Sequence, residues 1–263
     1  MGTADDCAPI PCRRSSFMIT GFKKWIQYIL FDKKTTISYN PELLTSISDL
    51  LLQAKRYRHD PSLPLKDTTF VIFDTETTGF HPYAGDELLS IGAVLIKNGE
   101  INEEKVFHEW INPYRAVPSQ VAEITKVKEE DLQDAPPALV VIHKFLQYIE
   151  GHYLVAHCAD FDLNFINIQL KRYVRSKLTN PTIDTMSLSY HLHPSQKLHN
   201  LDYLLGLYHV PIKNRHHALG DAKMTAELFL KFIDRLERRG ITTMRGLDNY
   251  IKSMHILHNH SSL

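Results

Sequence analysis

The order in which hydrophobic patterns follow one another limits the fold of this chain more than any other feature. Short apolar runs at 69–74, 88–96 and 106–111 have the length of strands, and the turn Lys97-Asn98-Gly99-Glu100 separates the second run from the third. Asn-Gly between apolar runs is a strong signal for a β-hairpin. The first three strands are therefore predicted to form an antiparallel meander.

Helical and strand patterns alternate in the second half of the chain. The predicted elements are a helix from Pro136-Pro137 to Gly151, a strand at 153–156, a helix at about 162–175, a strand at 182–184, a helix near 201–208 and a long helix at about 219–238. A meander followed by this alternation predicts an α/β fold, in which helices flank a mixed sheet. That is the outline of a ribonuclease H-like fold.

A length of 263 residues favours one main domain with a small appendage. We predict a disordered lead or an expression remnant at 1–16, a small helical N-terminal extension with its linker at 17–66, a main domain at 67–240 and a C-terminal tail at 241–263. Two helical patterns occupy the extension. The second pattern starts at Asn40-Pro41-Glu42, where a capping residue, a first-turn proline and a first-turn acid follow one another.

Charge and cysteine content restrict where and how the protein can act. The formal net charge is zero, whereas proteins that bind duplex phosphates over a large surface are usually basic. A nucleic-acid site would therefore be compact, with metal ions supplying the positive charge. The three cysteines make no disulfide framework, and no run is long and apolar enough to span a bilayer. The sequence predicts a cytoplasmic protein without stable membrane association.

Two acids follow directly on the first apolar strand, in Phe73-Asp74-Thr75-Glu76-Thr77-Thr78-Gly79. On a strand, the i, i+2 spacing places Asp74 and Glu76 on one face. The two carboxylates repel each other because both are negative, and a bound divalent cation would remove this repulsion. Carboxylate oxygens suit Mg²⁺ or Mn²⁺ better than zinc. The alternative for this pair is two solvated acids at a strand end.

Two later segments also place acids where a helix begins. Asp160 and Asp162 follow Ala156-His157-Cys158, and either acid alone is as well explained as a helix N-cap. Asp221 follows His216 by five residues, and its plain alternative is a partner of the helix dipole.

Together, the three segments resemble the three motifs of the DnaQ-like exonucleases, the DEDDh class that includes the epsilon proofreading subunit of bacterial DNA polymerase III. Asp-Thr-Glu-Thr-Thr-Gly matches the first motif, His157 through Asp162 is similar to the second, and His216-x-Ala-x-x-Asp221 matches the third. The resemblance covers about residues 68–238 and includes Ile183-Asp184-Thr185. Cys158 is a departure, because the family usually has Asn there.

The resemblance implies a metal-dependent 3′→5′ exonuclease that removes nucleoside 5′-monophosphates from single-stranded nucleic acid, with DNA preferred over RNA. Two divalent cations, Mg²⁺ or Mn²⁺, would be held by four acids, and His216 rather than His217 would be the general base. The backbone around Thr77, Thr78 and Gly79 would contact the terminal nucleotide. The predicted metal ligands are Asp74, Glu76, Asp162 and Asp221.

Other functions remain open at this point. A non-catalytic module of the same fold would bind nucleic acid or protein, and a metal phosphodiesterase acting on small nucleotides would use the same acids. The extension at 17–66 lies outside the resemblance. It is predicted either to pack on the main domain or to bind a polymerase or another protein partner.

Overall fold

The computed structural model describes residues 37–260, with side chains described as far as 253, and this part forms five strands and nine α-helices. The strands are β1 (Phe70–Thr77), β2 (Leu88–Lys97), β3 (Glu100–Trp110), β4 (Tyr153–Ala156) and β5 (Thr182–Asp184). The helices are α1 (Pro41–Arg56), α2 (Ser119–Thr125), α3 (Glu129–Gln133), α4 (Ala138–Ile149), α5 (Ala159–Val174), α6 (Thr185–Leu192), α7 (Leu201–Leu207), α8 (Ala218–Arg238) and α9 (Met244–His260). The predicted lead at 1–16 and the first helical pattern of the extension lie outside the described residues.

A single five-stranded sheet runs in the order β3-β2-β1-β4-β5. The first three strands pair antiparallel, and β4 and β5 add to β1 in parallel. The predicted meander and mixed sheet are confirmed. Asn98 and Gly99 take the left-handed backbone angles, φ 54° and 74°, that a tight hairpin turn requires.

The side chains on the two faces of β1 pack against different helices. Phe70 packs edge-on against Phe229 of α8, with ring centroids 5.0 Å apart. Phe73 points to the other face and meets Phe145 of α4 at 5.5 Å. Because side chains alternate along a strand, Asp74 continues the face of Phe70, while Thr75 continues the face of Phe73. The acids of β1 are thus directed to the side of the sheet that α8 covers.

Helix α1 is the described part of the predicted extension. Asn40 caps it by accepting a hydrogen bond from the backbone N–H of Glu42 at 2.9 Å. Ile47 and Leu51 are buried, and α1 packs on α4 and α5. Described residues from Asn40 onward belong to one compact unit. The proposed boundary at residue 66 stays a prediction.

The segment predicted as a C-terminal tail contains helix α9. Met244 and Leu247 are buried in the same core as α8, and Tyr250 packs beside them. These residues lie three apart, a spacing that places them on one helix face. A helix was not predicted within this tail at 241–263.

Some elements differ in length from the prediction. Strand β3 begins at Glu100, well before the apolar run at 106–111, because residues 100–102 pair with residues 95–97 of β2. The exposed residues 103–105 form an irregularity between this pairing and the one that resumes at Val106. The short helices α2, α3 and α6 had no long hydrophobic period, and none of them was predicted.

Candidate active site

Three of the predicted acids meet where β1 ends and α8 begins. One carboxylate oxygen from each of Asp74, Glu76 and Asp221 lies within 4.8 Å of the other two. Asp74 and Glu76 are partly buried, and Asp221 is buried on the first turn of α8. The i, i+2 spacing on β1 therefore brings its two acids to one face, as predicted.

Gly92 explains how the helix comes so close to the sheet. It pairs with Asp74 in the β1–β2 register. A Cβ atom at this position would lie 2.2 Å from the backbone nitrogen of Leu219 and 2.3 Å from the carbonyl carbon of Ala218. Only glycine leaves room for the first turn of α8 against β2, and that turn carries Asp221.

Asp162 is held against Thr75, which stands between Asp74 and Glu76 on β1. It is 2% exposed, and its Oδ1 accepts hydrogen bonds from the backbone N–H of Thr75 at 2.9 Å and from the Thr75 hydroxyl at 2.6 Å. Helix α5 starts at Ala159, so Asp162 lies in the first turn and is not the N-cap. It is not one of the three acids that converge, but its charge acts on Asp74.

All four acids are destabilised as anions. Burial, followed by the charges of the neighbouring acids, raises the pKa of Asp74 well above its usual range. Burial also raises the pKa of Glu76 to about 8, that of Asp162 to about 7 and that of Asp221 to about 6. Arg215 counters part of this effect at Glu76 and Asp221. The cluster has more negative charge than the protein neutralises.

The donor set fits a hard divalent cation. The convergent atoms are carboxylate oxygens, which Mg²⁺ and Mn²⁺ prefer. Asp221 Oδ1 is buried and has no hydrogen-bond partner within the described part of the chain. A buried carboxylate oxygen is rarely left unsatisfied, and a metal ion would supply the missing partner.

Arg215 is a site residue that the sequence analysis did not single out. Its Nη1 donates to Asp221 Oδ2, and its Nε donates to Asp202 Oδ1 at 2.6 Å. Asp202 comes from the first turn of α7. A basic residue directly before His216 was a signal in the sequence, but its partner Asp202 could be found only from the tertiary structure.

The two adjacent histidines differ in environment. His216 is exposed, has a left-handed φ of 60°, and donates its backbone N–H to Asp221 Oδ2 at 3.2 Å. Burial lowers its pKa, and the charge of Arg215 lowers it further. His217 instead stacks on His108 with ring centroids 4.4 Å apart and packs edge-on against Trp110. The packed position of His217 leaves His216 as the histidine beside the acids that solvent can reach.

The turn after β1 is held in a fixed shape by its own polar groups. Thr78 and Glu87 exchange hydrogen bonds: the Thr78 N–H donates to the Glu87 carbonyl at 2.8 Å, and the Glu87 N–H donates to the Thr78 hydroxyl at 3.0 Å. The Thr77 hydroxyl donates to the carbonyl of Gly79 at 2.7 Å. A Cβ on Gly79 would lie 2.4 Å from a carboxylate oxygen of Asp86. The backbone of the predicted substrate-binding residues is thus tightly packed.

An aromatic ring stands next to this turn. Phe80 is 79% exposed, and its ring lies 6.1 Å from that of Phe161, which stands between Asp160 and Asp162 in the second acidic segment. An exposed phenylalanine beside the acids offers a flat apolar surface at the site.

Cys158 stands at the N-cap of α5 with left-handed angles, φ 67° and ψ 46°. Its backbone N–H donates to Asp184 Oδ1 at 3.0 Å, and the same oxygen accepts from the N–H of Met186, where it caps α6. The carboxylate of Asp184 therefore links the starts of α5 and α6. Asn is the usual family residue at position 158 and tolerates left-handed angles better than most residues.

Comparison with known proteins identifies the family. Residues 71–229, more than half of the chain, match the family model RNase_T, described as "Exonuclease".

The chain belongs to this exonuclease family.

Relatives of this exonuclease include long replication proteins. It is 40% identical over 183 residues to a "DNA polymerase III subunit epsilon-like protein" of Rhodobacter capsulatus, across 68% of this chain and 26% of the relative. It is 37% identical over 182 residues to "DNA polymerase III PolC-type" of Caldanaerobacter subterraneus, across 69% of this chain and 13% of the relative. The chain therefore spans only about a quarter or less of the length of these relatives.

Solved structures share the fold of this exonuclease. Exonuclease X in complex with 5′ overhanging duplex DNA has a TM-score of 0.52 and 24% identity, with 69% of this chain and 99% of that chain covered. The nuclease domain of 3′hExo, a DEDDh family member bound to rAMP, has a TM-score of 0.56 and 16% identity, with 65% and 94% covered. The predicted ribonuclease H-like fold, family and exonuclease domain are confirmed. Among the helices of residues 37–260, none is both long and apolar enough to cross a membrane.

Proposed function

We propose that this exonuclease removes nucleoside 5′-monophosphates one at a time from the 3′ end of single-stranded nucleic acid, with DNA preferred over RNA. The observation that carries the proposal is the convergence of three carboxylates, Asp74, Glu76 and Asp221, with Asp162 fixed beside them. Such a cluster is costly in the absence of cations, and this cost supports a two-metal hydrolysis as the mechanism.

Asp74, Glu76, Asp162 and Asp221 would hold two divalent cations, Mg²⁺ or Mn²⁺. When bound, the cations supply an activated water and stabilise the negative charge that develops on the phosphate. The hydrogen bonds from Thr75 to Oδ1 hold the Asp162 carboxylate beside β1, where it would join the three convergent acids as a ligand.

His216 would accept the proton of the attacking water. Its lowered pKa keeps the imidazole neutral near pH 7, and only a neutral imidazole can accept a proton. The hydrogen bond from its backbone to Asp221 ties the histidine to the metal-binding acids. The stacking of His217 against His108 supports the choice of His216 rather than His217 for this role.

The turn at Thr77, Thr78 and Gly79 would bind the terminal nucleotide. The internal hydrogen bonds of Thr77 and Thr78 support this proposal, because they already hold the backbone of the turn in one shape. The exposed ring of Phe80 would stack on a base, and such stacking tolerates any base sequence. A neutral chain with a local aromatic and metal-containing site fits a strand end better than a long duplex.

The partners of this exonuclease follow from its relatives. Several relatives are named as forms of DNA polymerase III, and we propose that residues 17–66 bind a polymerase or another protein partner. A proofreading subunit and a free-standing nuclease are both compatible with this proposal. A cytoplasmic location rests on the sequence alone and stays a prediction.

The test is digestion of 5′-labelled single-stranded DNA and RNA oligomers with Mg²⁺, Mn²⁺ or EDTA. We expect a ladder that shortens from the 3′ end, needs metal, and is lost in Asp74→Asn. Asp49→Asn changes an exposed acid on α1 and serves as the matched control, so it should keep wild-type activity. Binding of oligomers without shortening, with both metals, would favour a non-catalytic module of the same fold. Cleavage of dinucleotides in preference to oligomers would favour a small-nucleotide phosphodiesterase.

A further inference from the structure

Arg215 makes the only guanidinium contact to the acid cluster among the hydrogen bonds described for residues 37–260. It bridges an inner and an outer carboxylate: the side chain of Asp221 is 4% exposed and that of Asp202 is 55% exposed. Arg215 itself is 26% exposed, so it lies at the boundary between the cluster and solvent.

The guanidinium occupies one oxygen of Asp221 and leaves the other unsatisfied. Arg215 Nη1 contacts Oδ2, while Oδ1 is buried without a hydrogen-bond partner in the described structure. Guanidinium is a monovalent cation facing three convergent acids, with a fourth beside them. It therefore neutralises only part of the charge that one or two divalent cations would neutralise.

We propose that Arg215 is an internal counter-ion that competes with divalent metal for Asp221, and that Asp202 retains the guanidinium when metal displaces it. The inference rests on the metal site of the proposed function and adds a mode of regulation to it. In the metal-free protein the bridge stabilises the cluster. When metal arrives, the Arg215–Asp221 contact weakens and the Arg215–Asp202 contact remains.

The position of Asp202 lets Arg215 release Asp221 without leaving its charge unpaired. Its carboxylate accepts from Nε, whereas Asp221 accepts from Nη1, so the two contacts use different edges of the guanidinium. Arg215 can lose one partner and keep its charge paired with the other. A purely structural bridge would instead orient Asp221 for metal, and its loss would weaken metal binding. Loss of Arg215 should therefore strengthen metal binding if Arg215 is a competing counter-ion, and weaken it if the bridge is purely structural.

The experiment measures Mn²⁺ affinity by isothermal titration calorimetry at fixed ionic strength, together with thermal unfolding in EDTA. In Arg215→Gln we expect the tighter Mn²⁺ site to bind on the order of tenfold more strongly than in the wild type. The melting temperature in EDTA should fall, and the rise on adding Mn²⁺ should be larger than in the wild type. Arg58→Gln removes an exposed arginine from the loop after α1 and should leave both quantities unchanged.

Asp202→Asn and the double variant separate the exchange from a general charge effect. Without Asp202, the guanidinium has only Asp221 as a carboxylate partner, so Mn²⁺ should bind several-fold more weakly. In the Arg215→Gln background the same change should have little effect, because Asp202 acts through Arg215. Equal effects in both backgrounds would show simple electrostatics and overturn the exchange.

The remaining outcomes separate this inference from the proposed function. Unchanged or weaker Mn²⁺ binding in Arg215→Gln, in a wild type that binds metal and degrades oligomers, would overturn the counter-ion role alone. A wild type that binds no metal would overturn both. If Arg215→Gln folds only with Mn²⁺ present, the stabilising role is supported. If it does not fold at all, Asp202→Asn decides, and an unchanged Mn²⁺ affinity would contradict the exchange.

Discussion

At the scale of the residue, the acids that would bind metal work against the folded state when metal is absent. The folded protein raises the pKa of Glu76 from 4.5 to about 8 and that of Asp221 from 3.8 to about 6. The folded state then holds protons more strongly than the unfolded state, so stability falls as pH rises through this range. The effect is absent below the unfolded pKa values and complete above about 8.

Glu76→Gln should therefore stabilise the metal-free protein while it abolishes nuclease activity. In EDTA at pH 8 we expect a melting temperature higher by about 2–4 °C, the shift that corresponds to roughly 1 kcal/mol in a protein of this size. The gain should shrink towards pH 5, where the wild-type acid is protonated. Glu104→Gln, at an exposed position of β3, is the control. A lower melting temperature for Glu76→Gln in EDTA at pH 8 would contradict the conclusion that the Glu76 carboxylate destabilises the metal-free protein.

Cys158 carries a local cost that its family counterpart avoids. Left-handed angles cost an ordinary L-residue about 1–2 kcal/mol, and Asn adopts them more readily. With φ at 67°, Cys158→Asn should raise the free energy of unfolding by up to about 1 kcal/mol, measured by chemical denaturation. Cys158→Ser is the matched control, since it replaces the thiol without relieving the backbone. Equal stability of the Asn and Ser variants would show that the left-handed backbone is not the cause.

The acids of the site could be predicted from the sequence, whereas their counter-ion Arg215 could not. Asp74 and Glu76 share a face by strand periodicity alone, and Asp221 was recognised from its distance to His216 in the motif. Arg215 depends on Asp202, which α7 brings to it. No local pattern specifies that pairing, because the two residues meet only after helices α7 and α8 have packed.

At the scale of the element, the contact between α8 and β2 determines where Asp221 lies. Gly92→Ala would place a methyl group on the backbone of Ala218 and Leu219 and push the helix start away. Such overpacking typically costs about 1–3 kcal/mol. We expect reduced stability and, because Asp221 shifts with the helix, a lower kcat at saturating metal.

Gly206→Ala is a control that should raise stability, whereas Gly92→Ala should lower it. Gly206 lies in helix α7, and a Cβ there would meet nothing within 4 Å. Replacing a helical glycine by alanine stabilises by roughly 0.5–1 kcal/mol. Stability and kcat should be compared for the two variants by denaturation and oligomer digestion. A Gly92→Ala protein with wild-type kcat would show that the helix start tolerates displacement.

The long helices and the apolar strands were predictable from their hydrophobic patterns, and the short or polar elements were not. Helix α8 was expected at about 219–238 and spans Ala218–Arg238. Residues 100–102 of β3 lie outside the apolar run and belong to the strand through their pairing with β2, and the exposed residues 103–105 interrupt the β2–β3 register. Helix α6 begins directly after β5, where the side chain of Asp184 caps it, and its short length hid it among loop signals.

At the scale of the whole molecule, helix α1 is part of the folded unit that carries the site. Ile47 is fully buried, and the hydroxyl of Ser46 lies 2.8 Å from the Nε2 of His143 on α4. Ile47→Ala should lower the free energy of unfolding by about 2–5 kcal/mol. Activity per folded molecule should be unchanged at a temperature where both proteins are folded.

Leu52→Ala tests whether this loss is specific to the buried face of α1. Leu52 is 43% exposed, so its truncation should cost far less than that of Ile47 in the same denaturation measurement. If Ile47→Ala were as stable as Leu52→Ala, α1 would be an appendage that the catalytic unit does not need. The sequence analysis left these two roles of the extension open, because amphipathic period shows that a face is buried but not what buries it.

The arrangement of β1 between an early and a late neighbour has a consequence for the order of assembly. Phe70 pairs with Ile96 in the meander, but its parallel partner is Tyr153. Pairings between distant segments form slowly, and domains acquire structure from the N-terminus as they are synthesised. On the ribosome, Asp74 and Glu76 would sit on a paired strand before Asp162 is made, and Asp221 would arrive last. The nascent chain would thus pass through a stage in which Asp74 and Glu76 are in place, while the other two predicted metal ligands have not yet been added.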